Sequence, residues 1–251
     1  MSDSAASPPP DLAIDRRAAV RRIELGVGSS VDVGSSVDAG SWVDLVDGFV
    51  RDPSEVLREL VATTTWVQNE VLRYDRYVPE RRLSAGVRAA SHPMLRQTDL
   101  HLQATYRVPF DGVAAIQYRN GDDFQGLHSD REMRWLDDTR IAIVVLGQRR
   151  PFVIRPRTRW TDAIAQKVPA GEGVDDLVLL PGDGDLLVMG GACQRDWLHG
   201  VPAADAPDTR VSLTWRWTSR RGRPDTNPGY FEGRQFSDAP RRPGTRQGRS
   251  A

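Results

Sequence analysis

Two of the four histidines in this sequence stand where they could hold a metal ion together with a carboxylate. His128 and Asp130 are separated by a single serine. Side chains two residues apart on a β-strand point to the same face, so both could reach one ion. A His-X-Asp pair alone is more often a surface hydrogen bond than a metal site. The pair therefore needs a third ligand before it predicts a function.

The third predicted ligand is His199, which lies shortly after an aliphatic run far downstream. Two imidazoles and one carboxylate on one face of an octahedron leave open positions for a co-substrate and dioxygen, which is the facial triad of non-haem iron(II) oxygenases. We therefore take His128, Asp130 and His199 as candidate metal ligands and catalytic residues. The alternative is that His199, which precedes a glycine, is an ordinary loop histidine.

A further set of polar residues follows, from Arg210 to Arg216. The period of two in a strand places on one face Arg210, Ser212, Thr214 and Arg216. The opposite face carries large apolar residues. Arginines that point inward need anionic partners, and a dicarboxylate co-substrate would supply them because a guanidinium binds a carboxylate through two hydrogen bonds. The alternative is an outer strand face with solvated arginines.

The elements that must position these residues are mostly short strands. Six runs rich in β-branched, aromatic or aliphatic residues predict them: Val113 to Tyr118, Ile141 to Leu146, Pro151 to Arg155, Leu177 to Leu180, Asp185 to Met189 and Arg210 to Trp217. Many short strands without intervening helices favour a sandwich or jelly roll over a parallel α/β sheet.

Upstream of these strands the pattern is mixed. Trp42 to Val46 predicts a short strand, and Asp52-Pro53-Ser54 predicts the start of a helix. From Val67 to the first of the six strands we expect loops. We interpret His92-Pro93 as a turn, and His101, in an alternating stretch, as structural.

Composition indicates the domain organisation of the chain and its general class. We expect a disordered low-complexity segment over residues 1–40, a catalytic domain over 41–220 and a flexible basic tail over 221–251. The net charge is zero, and a single cysteine, Cys193, excludes an internal disulfide. The first twelve residues lack the features of a signal peptide, and no apolar run reaches membrane-spanning length. We expect a cytoplasmic monomer.

Taken together, these residues resemble the AlkB family of 2-oxoglutarate-dependent dioxygenases. The resemblance rests on His128-X-Asp130, on His199 and on Arg210-X5-Arg216. Two further stretches agree with it, Tyr118-Arg119-Asn120-Gly121-Asp122 before His128 and Gly182-Asp183-Gly184-Asp185-Leu186-Leu187-Val188-Met189 before His199. It covers roughly Trp42 to Arg220, and the combination in this order is specific although each part is common.

The resemblance implies a double-stranded β-helix (jelly roll) with iron at its mouth, in a mainly β fold with flanking helices. It implies that Fe(II) is held by the three ligands named above. Arg210 would pair with the distal carboxylate of the co-substrate 2-oxoglutarate, and Arg216 would lie near its iron-chelating end. Tyr118 and Ser212 would help to hold it. The implied reaction is oxidative dealkylation, and the implied partner is DNA or RNA with bases alkylated on ring nitrogens.

Two positions depart from the family pattern: Ile116 and Ser212 stand where asparagine is frequent, although Ser212 can still form a hydrogen bond. Arg131 follows the His-X-Asp where many members have an acid, and Glu132 comes next. The resemblance makes Glu132 the candidate for base selectivity. The alternative is a solvated loop carboxylate.

Substrate recognition also needs a stacking surface and a basic groove. The stacking candidates are Trp66, Tyr74, Tyr77 and Trp135. The phosphate-contact candidates are Arg73, Arg76, Arg81, Arg82, Arg220, Arg221 and Arg223. Each of these could instead be a core, rim or surface residue. Two other functions also stay open, the same chemistry on a small molecule or protein and a nucleic-acid-binding module without turnover.

Overall fold

The computed structural model describes residues 13–26, 40–73, 76–130, 133, 136–157, 169–173 and 175–219. Glu132, Trp135, Tyr74, the predicted basic tail and most of the predicted N-terminal segment lie outside these residues. In the described part of the chain, no helix is both long enough and apolar enough to cross a membrane.

The described structure contains thirteen strands, three α-helices and a short 3-10 helix at Ala89–Ser91. The strands are β1 Arg21–Leu25, β2 Ser41–Val46, β3 Glu70–Arg73, β4 Arg76–Pro79, β5 Leu83–Val87, β6 Asp111–Tyr118, β7 Gln125–His128, β8 Thr139–Gly147, β9 Phe152–Pro156, β10 Leu177–Leu179, β11 Leu186–Gly191, β12 Trp197–Val201 and β13 Arg210–Thr218. The helices are α1 Pro53–Thr63, α2 Pro93–Tyr106 and α3 Cys193–Asp196.

Most strands belong to two antiparallel sheets. The larger sheet has seven strands in the order β1-β2-β11-β8-β13-β6-β5, and the smaller has four in the order β10-β9-β12-β7. All ladders between neighbouring strands in both sheets are antiparallel. A separate hairpin is formed by β3 and β4. This is the mainly β sandwich that the short runs predict.

The larger sheet separates two apolar clusters, as alternation along β8 shows. Ile141, Ile143 and Val145 pack in a cluster that also contains residues of the smaller sheet, which we call the inter-sheet cluster. Ala142 and Val144 pack in a second cluster with residues of α1 and α2, which we call the helix-side cluster. Because side chains alternate along each strand, one register fixes which residues face the smaller sheet.

The start of the chain corrects one prediction. Residues 13–26 are structured, although the sequence places them in a disordered segment. β1 pairs with β2 at the edge of the larger sheet, and Ile14 is fully buried in the helix-side cluster. The predicted domain boundary at residue 41 therefore falls between two paired strands. The pairing is non-local, so the polar composition of this segment does not reveal it.

The region predicted as loops contains three strands and the longest helix. The prediction of a turn at His92-Pro93 is wrong: His92 is the N-cap of α2, where its Nδ1 accepts a hydrogen bond from Met94 N–H at 3.1 Å, and Pro93 is the first helical residue. This is a favourable position for proline because its missing N–H would have no helical partner. His101 lies in the same helix, half-buried against Phe49, so its predicted structural role agrees with its position.

Candidate metal and co-substrate site

The three predicted ligands come together at the smaller sheet. His128 is the last residue of β7, Asp130 follows two residues later, and His199 is the central residue of β12. His128 and His199 are direct partners across the antiparallel ladder, with ring centroids 4.4 Å apart. One ligand atom from each of the three residues lies within 4.8 Å of the others. The ladder thus joins residues that are far apart in the sequence.

The ionisation of these groups suits a metal ion. Burial lowers the pKa of His199 to about 3, with a further contribution from His128, and burial also lowers the pKa of His128. Burial alone would raise the pKa of Asp130, but the nearby charge of Arg216 and the two histidines lower it to about 2. At neutral pH the site therefore offers two neutral imidazoles and one carboxylate, which are the protonation states that ligands need.

The surroundings also orient the imidazoles. His128 Nδ1 lies 2.9 Å from the carbonyl oxygen of Gly126, to which it donates in the tautomer that leaves Nε2 free. That Nε2 atom lies 3.7 Å from Asp130 Oδ1. The ring of His199 stacks on Phe152 at 5.8 Å. Fixing the tautomer and the ring plane in this way is the usual support of a metal-binding histidine.

Arg216 contacts the metal pocket through Asp130. Its Nε lies 2.6 Å from Asp130 Oδ2, while Asp130 Oδ1 faces His128. One oxygen of the carboxylate can thus serve a metal while the other holds the guanidinium. The side chain of Arg216 is 38% exposed, so part of it is in contact with solvent.

Arg210 lies at the other end of β13 and is fully buried. Among the described residues, its guanidinium donates only long hydrogen bonds, to Ser212 Oγ at 3.4 Å and to the carbonyl oxygens of Pro181 at 3.3 Å and Arg150 at 3.5 Å. Its Nη2 has no partner within the described structure. Burial lowers the pKa of Arg210 to about 10. A buried cation with an unused donor fits a bound carboxylate.

Arg150 lies behind this pocket and was not predicted. It is fully buried and donates to the backbone carbonyl oxygens of Asn120, Gly121, Asp123 and Pro202. Its guanidinium also lies 5.3 Å from the ring centre of Tyr118, the residue that pairs with Arg210 across β6 and β13. Arg150 therefore ties the segment after Tyr118 to the pocket. Its local sequence does not distinguish it from the exposed Arg149.

Arg82 also lies beside Tyr118, although we predict it as a phosphate contact from the sequence. It forms a hydrogen bond with the side chain of Tyr118, and its charge contributes to the lowered pKa of His128. Glu80 pairs with it at 2.9 Å. The chain thus brings a third arginine towards Tyr118, in addition to Arg150 and Arg210.

The two positions that depart from the family pattern are neighbours. Ser212 of β13 pairs directly with Ile116 of β6. Ser212 is buried and accepts from Arg210, whereas Ile116 packs against the inter-sheet cluster. A pair of amides is therefore replaced by one apolar and one small polar side chain at adjacent positions, and only the serine keeps a contact with an arginine.

The substrate-binding candidates are less closely grouped. Trp66 packs against the helix-side cluster, and its indole N–H donates to Val61 O at 3.4 Å. Tyr77 is half-buried on β4, while Arg76 and Arg81 are exposed on and after that strand. Nothing in the described structure places Trp66 at the triad. Glu132 lies outside the described residues.

The residues present fit the cofactors of an iron oxygenase. His128, Asp130 and His199 match the ligand types of a facial triad. The unused Nη2 of Arg210 fits a carboxylate of the co-substrate. Both observations concern donor chemistry and burial, and together they define a site for a metal ion and a small dianion.

Comparison with known proteins agrees with a site for iron and 2-oxoglutarate. The family model of the 2OG-Fe(II) oxygenase superfamily matches residues 50–216. The DNA oxidative demethylase ALKBH2 of Arabidopsis thaliana is 31% identical over 129 residues, which cover 46% of this chain and 41% of that protein. The human alpha-ketoglutarate-dependent dioxygenase alkB homolog 3 is 29% identical over 204 residues, covering 72% of this chain and 68% of that protein. This chain thus matches less than half of the Arabidopsis relative.

Solved structures confirm the fold. HygX from Streptomyces hygroscopicus, with nickel and 2-oxoglutarate bound, aligns with a TM-score of 0.51 at 13% identity, over 71% of this chain and 83% of that one. The double-stranded β-helix is therefore confirmed. Because the family model spans the triad and both arginines of β13, the chain belongs to the 2OG-Fe(II) oxygenase superfamily, as an Fe(II)- and 2-oxoglutarate-dependent dioxygenase related to the AlkB homologues.

Proposed function

We propose that this dioxygenase removes alkyl groups oxidatively from the ring nitrogens of nucleic-acid bases. The observation that carries the proposal is the complete site, with the triad and both arginines of β13, in a chain related to AlkB homologues. The relative from Arabidopsis is a DNA oxidative demethylase. The same cofactor chemistry on a small molecule or a protein is the alternative.

The cofactors and the protein chain contribute different parts of the proposed reaction. Iron and 2-oxoglutarate, when bound, supply the oxidation of a C–H bond by dioxygen, with release of succinate and carbon dioxide. In this proposal His128, Asp130 and His199 hold the metal, and Arg210 binds the distal carboxylate of the co-substrate. Arg216 holds the free oxygen of Asp130, which keeps that carboxylate in one orientation. The buried surroundings of Arg210 exclude water and so strengthen its attraction for an anion.

A base can reach such a site only if it leaves the helical stack. The substrate must therefore be single-stranded, or the base must flip out of a duplex. We assign Tyr77 to the stacking of a base and Arg76 and Arg81 to phosphate contacts, since all three lie on or beside the β3–β4 hairpin and two are exposed arginines. The resemblance to the AlkB family makes Glu132, two positions after Asp130, the candidate for base selectivity.

The direct test uses the full chain with Fe(II), 2-oxoglutarate, dioxygen and oligonucleotides that carry 1-methyladenine or 3-methylcytosine. We expect loss of the methyl group, detected by mass spectrometry, together with stoichiometric succinate. The variant Asp130→Ala should form neither product, because the carboxylate ligand is lost. Succinate formation without demethylation of either oligonucleotide would contradict the nucleic-acid assignment and favour the alternative substrate class.

A further inference from the structure

One buried side chain contacts the candidate metal centre without being one of its ligands. Gln194 is the second residue of the short helix α3, between β11 and β12, and it is fully buried. Its Oε1 accepts a hydrogen bond from the backbone N–H of Asp130 at 2.9 Å. The two residues are 64 positions apart in the chain. The contact therefore joins the segment carrying one predicted ligand to the helix that leads into the strand of another.

The hydrogen bond replaces a missing ladder contact. β7 ends at His128, and the pairing of His128 with His199 is the last one in the ladder between β7 and β12, so Asp130 is not paired with Trp197 across that ladder. The segment that carries Asp130 thus leaves the sheet just where its carboxylate must be held. A buried N–H without an acceptor is unfavourable, and Gln194 supplies the acceptor from outside the ladder.

A second contact holds the same segment. The Arg157 guanidinium donates to Ser129 Oγ, and Arg157 N–H donates to Asp196 O at 2.7 Å. Asp196 is the last residue of α3. The residue before Asp130 is therefore also linked to this helix, through Arg157. Both contacts act on the main chain or on a neighbouring hydroxyl, so they fix the backbone from which the carboxylate extends.

The amide nitrogen of Gln194 helps to identify the interaction for which a glutamine is required. Its Nε2 has no hydrogen-bond partner within the described structure. A buried amide with an unused donor is costly, and a methionine of similar size would fill the space without that cost. A methionine thioether, however, is only a weak acceptor, and its sulfur stands one bond short of the position of the glutamine Oε1, so it is a poor acceptor for Asp130 N–H. The single contact with Asp130 is thus the interaction that distinguishes glutamine from an apolar residue here.

We propose that Gln194 is a positioning residue that holds Asp130 beside His128 and His199, so that the metal affinity of the site depends on its side-chain amide. The three ligands are then tied by two cross-links. The ladder joins His128 to His199, and the amide joins Asp130 to the segment that leads to His199. Without the amide, Asp130 keeps its connection to the histidines through the short chain that follows β7 and through the contact of Ser129 with Arg157, neither of which acts on Asp130 directly.

The test compares Gln194→Met with Cys193→Ala by titration with Co(II) alone, in the absence of 2-oxoglutarate. Cys193 is the matched control because it is buried in the same helix and packs in the inter-sheet cluster. We expect Gln194→Met to bind Co(II) about 10- to 100-fold more weakly, which is the usual effect of removing a residue that orients a ligand, and to show an altered Co(II) absorption spectrum. Cys193→Ala should keep both the affinity and the spectrum.

A second readout needs no metal. In the apoprotein, the Asp130 amide should exchange its hydrogen more rapidly in Gln194→Met than in the parent chain or in Cys193→Ala. Unchanged Co(II) affinity in Gln194→Met, or equal weakening in both variants, would overturn the proposal. If Gln194→Met does not fold, Gln194→Asn replaces it: its amide is one methylene too short to reach Asp130, so the same weakening is expected. None of these measurements depends on the organic substrate, so they are independent of the proposed dealkylation.

Discussion

The two arginines of β13 have the same residue type and face the same side of one strand, yet their environments differ. Arg210 is fully buried, has only long contacts to neutral oxygens, and keeps one donor unused. Arg216 is 38% exposed and forms a 2.6 Å ion pair with Asp130. The first has no carboxylate among its hydrogen-bond partners in the described ranges and is therefore suited to bind one from outside. The second already has its carboxylate and helps to orient a metal ligand.

Removing the buried arginine should have the largest effect. We expect Arg210→Met to weaken 2-oxoglutarate binding by about 100-fold or more, because a fully desolvated charge contact is lost. The variant should nevertheless be no less stable than the parent in the absence of ligand, since the lost cation is buried with no ion-pair partner in the part of the chain that the structure describes. Calorimetric titration and thermal unfolding of the ligand-free protein measure the two effects. A variant that is less stable but keeps its 2-oxoglutarate affinity would show that Arg210 is a structural residue.

Removing Arg216 should instead lower the stability of the ligand-free protein and weaken 2-oxoglutarate binding less than removing Arg210. Arg216→Met leaves Asp130 without its cation, so we expect the pKa of that carboxyl to rise and the ligand-free protein to lose about 1 kcal/mol of unfolding free energy, a small value because solvent screens a partly exposed pair. The contribution of the pair is present while Asp130 is ionised and is lost as the pH falls towards its folded-state pKa of about 2. Binding of 2-oxoglutarate should weaken by only about tenfold. A larger loss than in Arg210→Met would reverse the comparison.

The smallest effect concerns the neighbour of Arg210. Ser212→Ala removes an oxygen that Arg210 Nε reaches only at 3.4 Å. We expect 2-oxoglutarate binding to weaken by about twofold, since a long hydrogen bond contributes little. Succinate formation at varied 2-oxoglutarate concentration gives the change in KM. An effect as large as that of Arg210→Met would mean that Ser212 itself contacts the co-substrate.

Local sequence patterns predicted the features that depend on the alternation of side chains within a single strand. The alternation from Arg210 to Arg216 assigned both arginines to one face, and Arg216 indeed contacts Asp130 while Val211, Leu213 and Trp215 pack in the helix-side cluster. The six predicted strands correspond to β6, β8, β9, β10, β11 and β13. Periodicity succeeds here because each strand is buried on at least one face.

Local patterns failed where a structure depends on a distant partner. β1 has a polar sequence and is a strand because β2 provides its hydrogen bonds. In α2, which we expected to be a loop, the amphipathic pattern is weak, although Met94, Leu95 and Leu102 are fully buried against the helix-side cluster. Propensity alone does not predict such elements, because tertiary packing provides most of their stability.

The sequence by itself determined the chemistry of this protein: which side chains could ligate a metal, and which strand face carries the arginines. Only the tertiary structure decided how those groups are held. It paired His128 with His199 across a ladder, placed Arg216 on Asp130, and put Arg150 and Gln194 behind the site. The physical reason is the separation along the chain of the residues on which each property depends. Side-chain chemistry and strand alternation are local properties of the chain, whereas a buried hydrogen bond between residues 64 positions apart exists only once the sheets have packed.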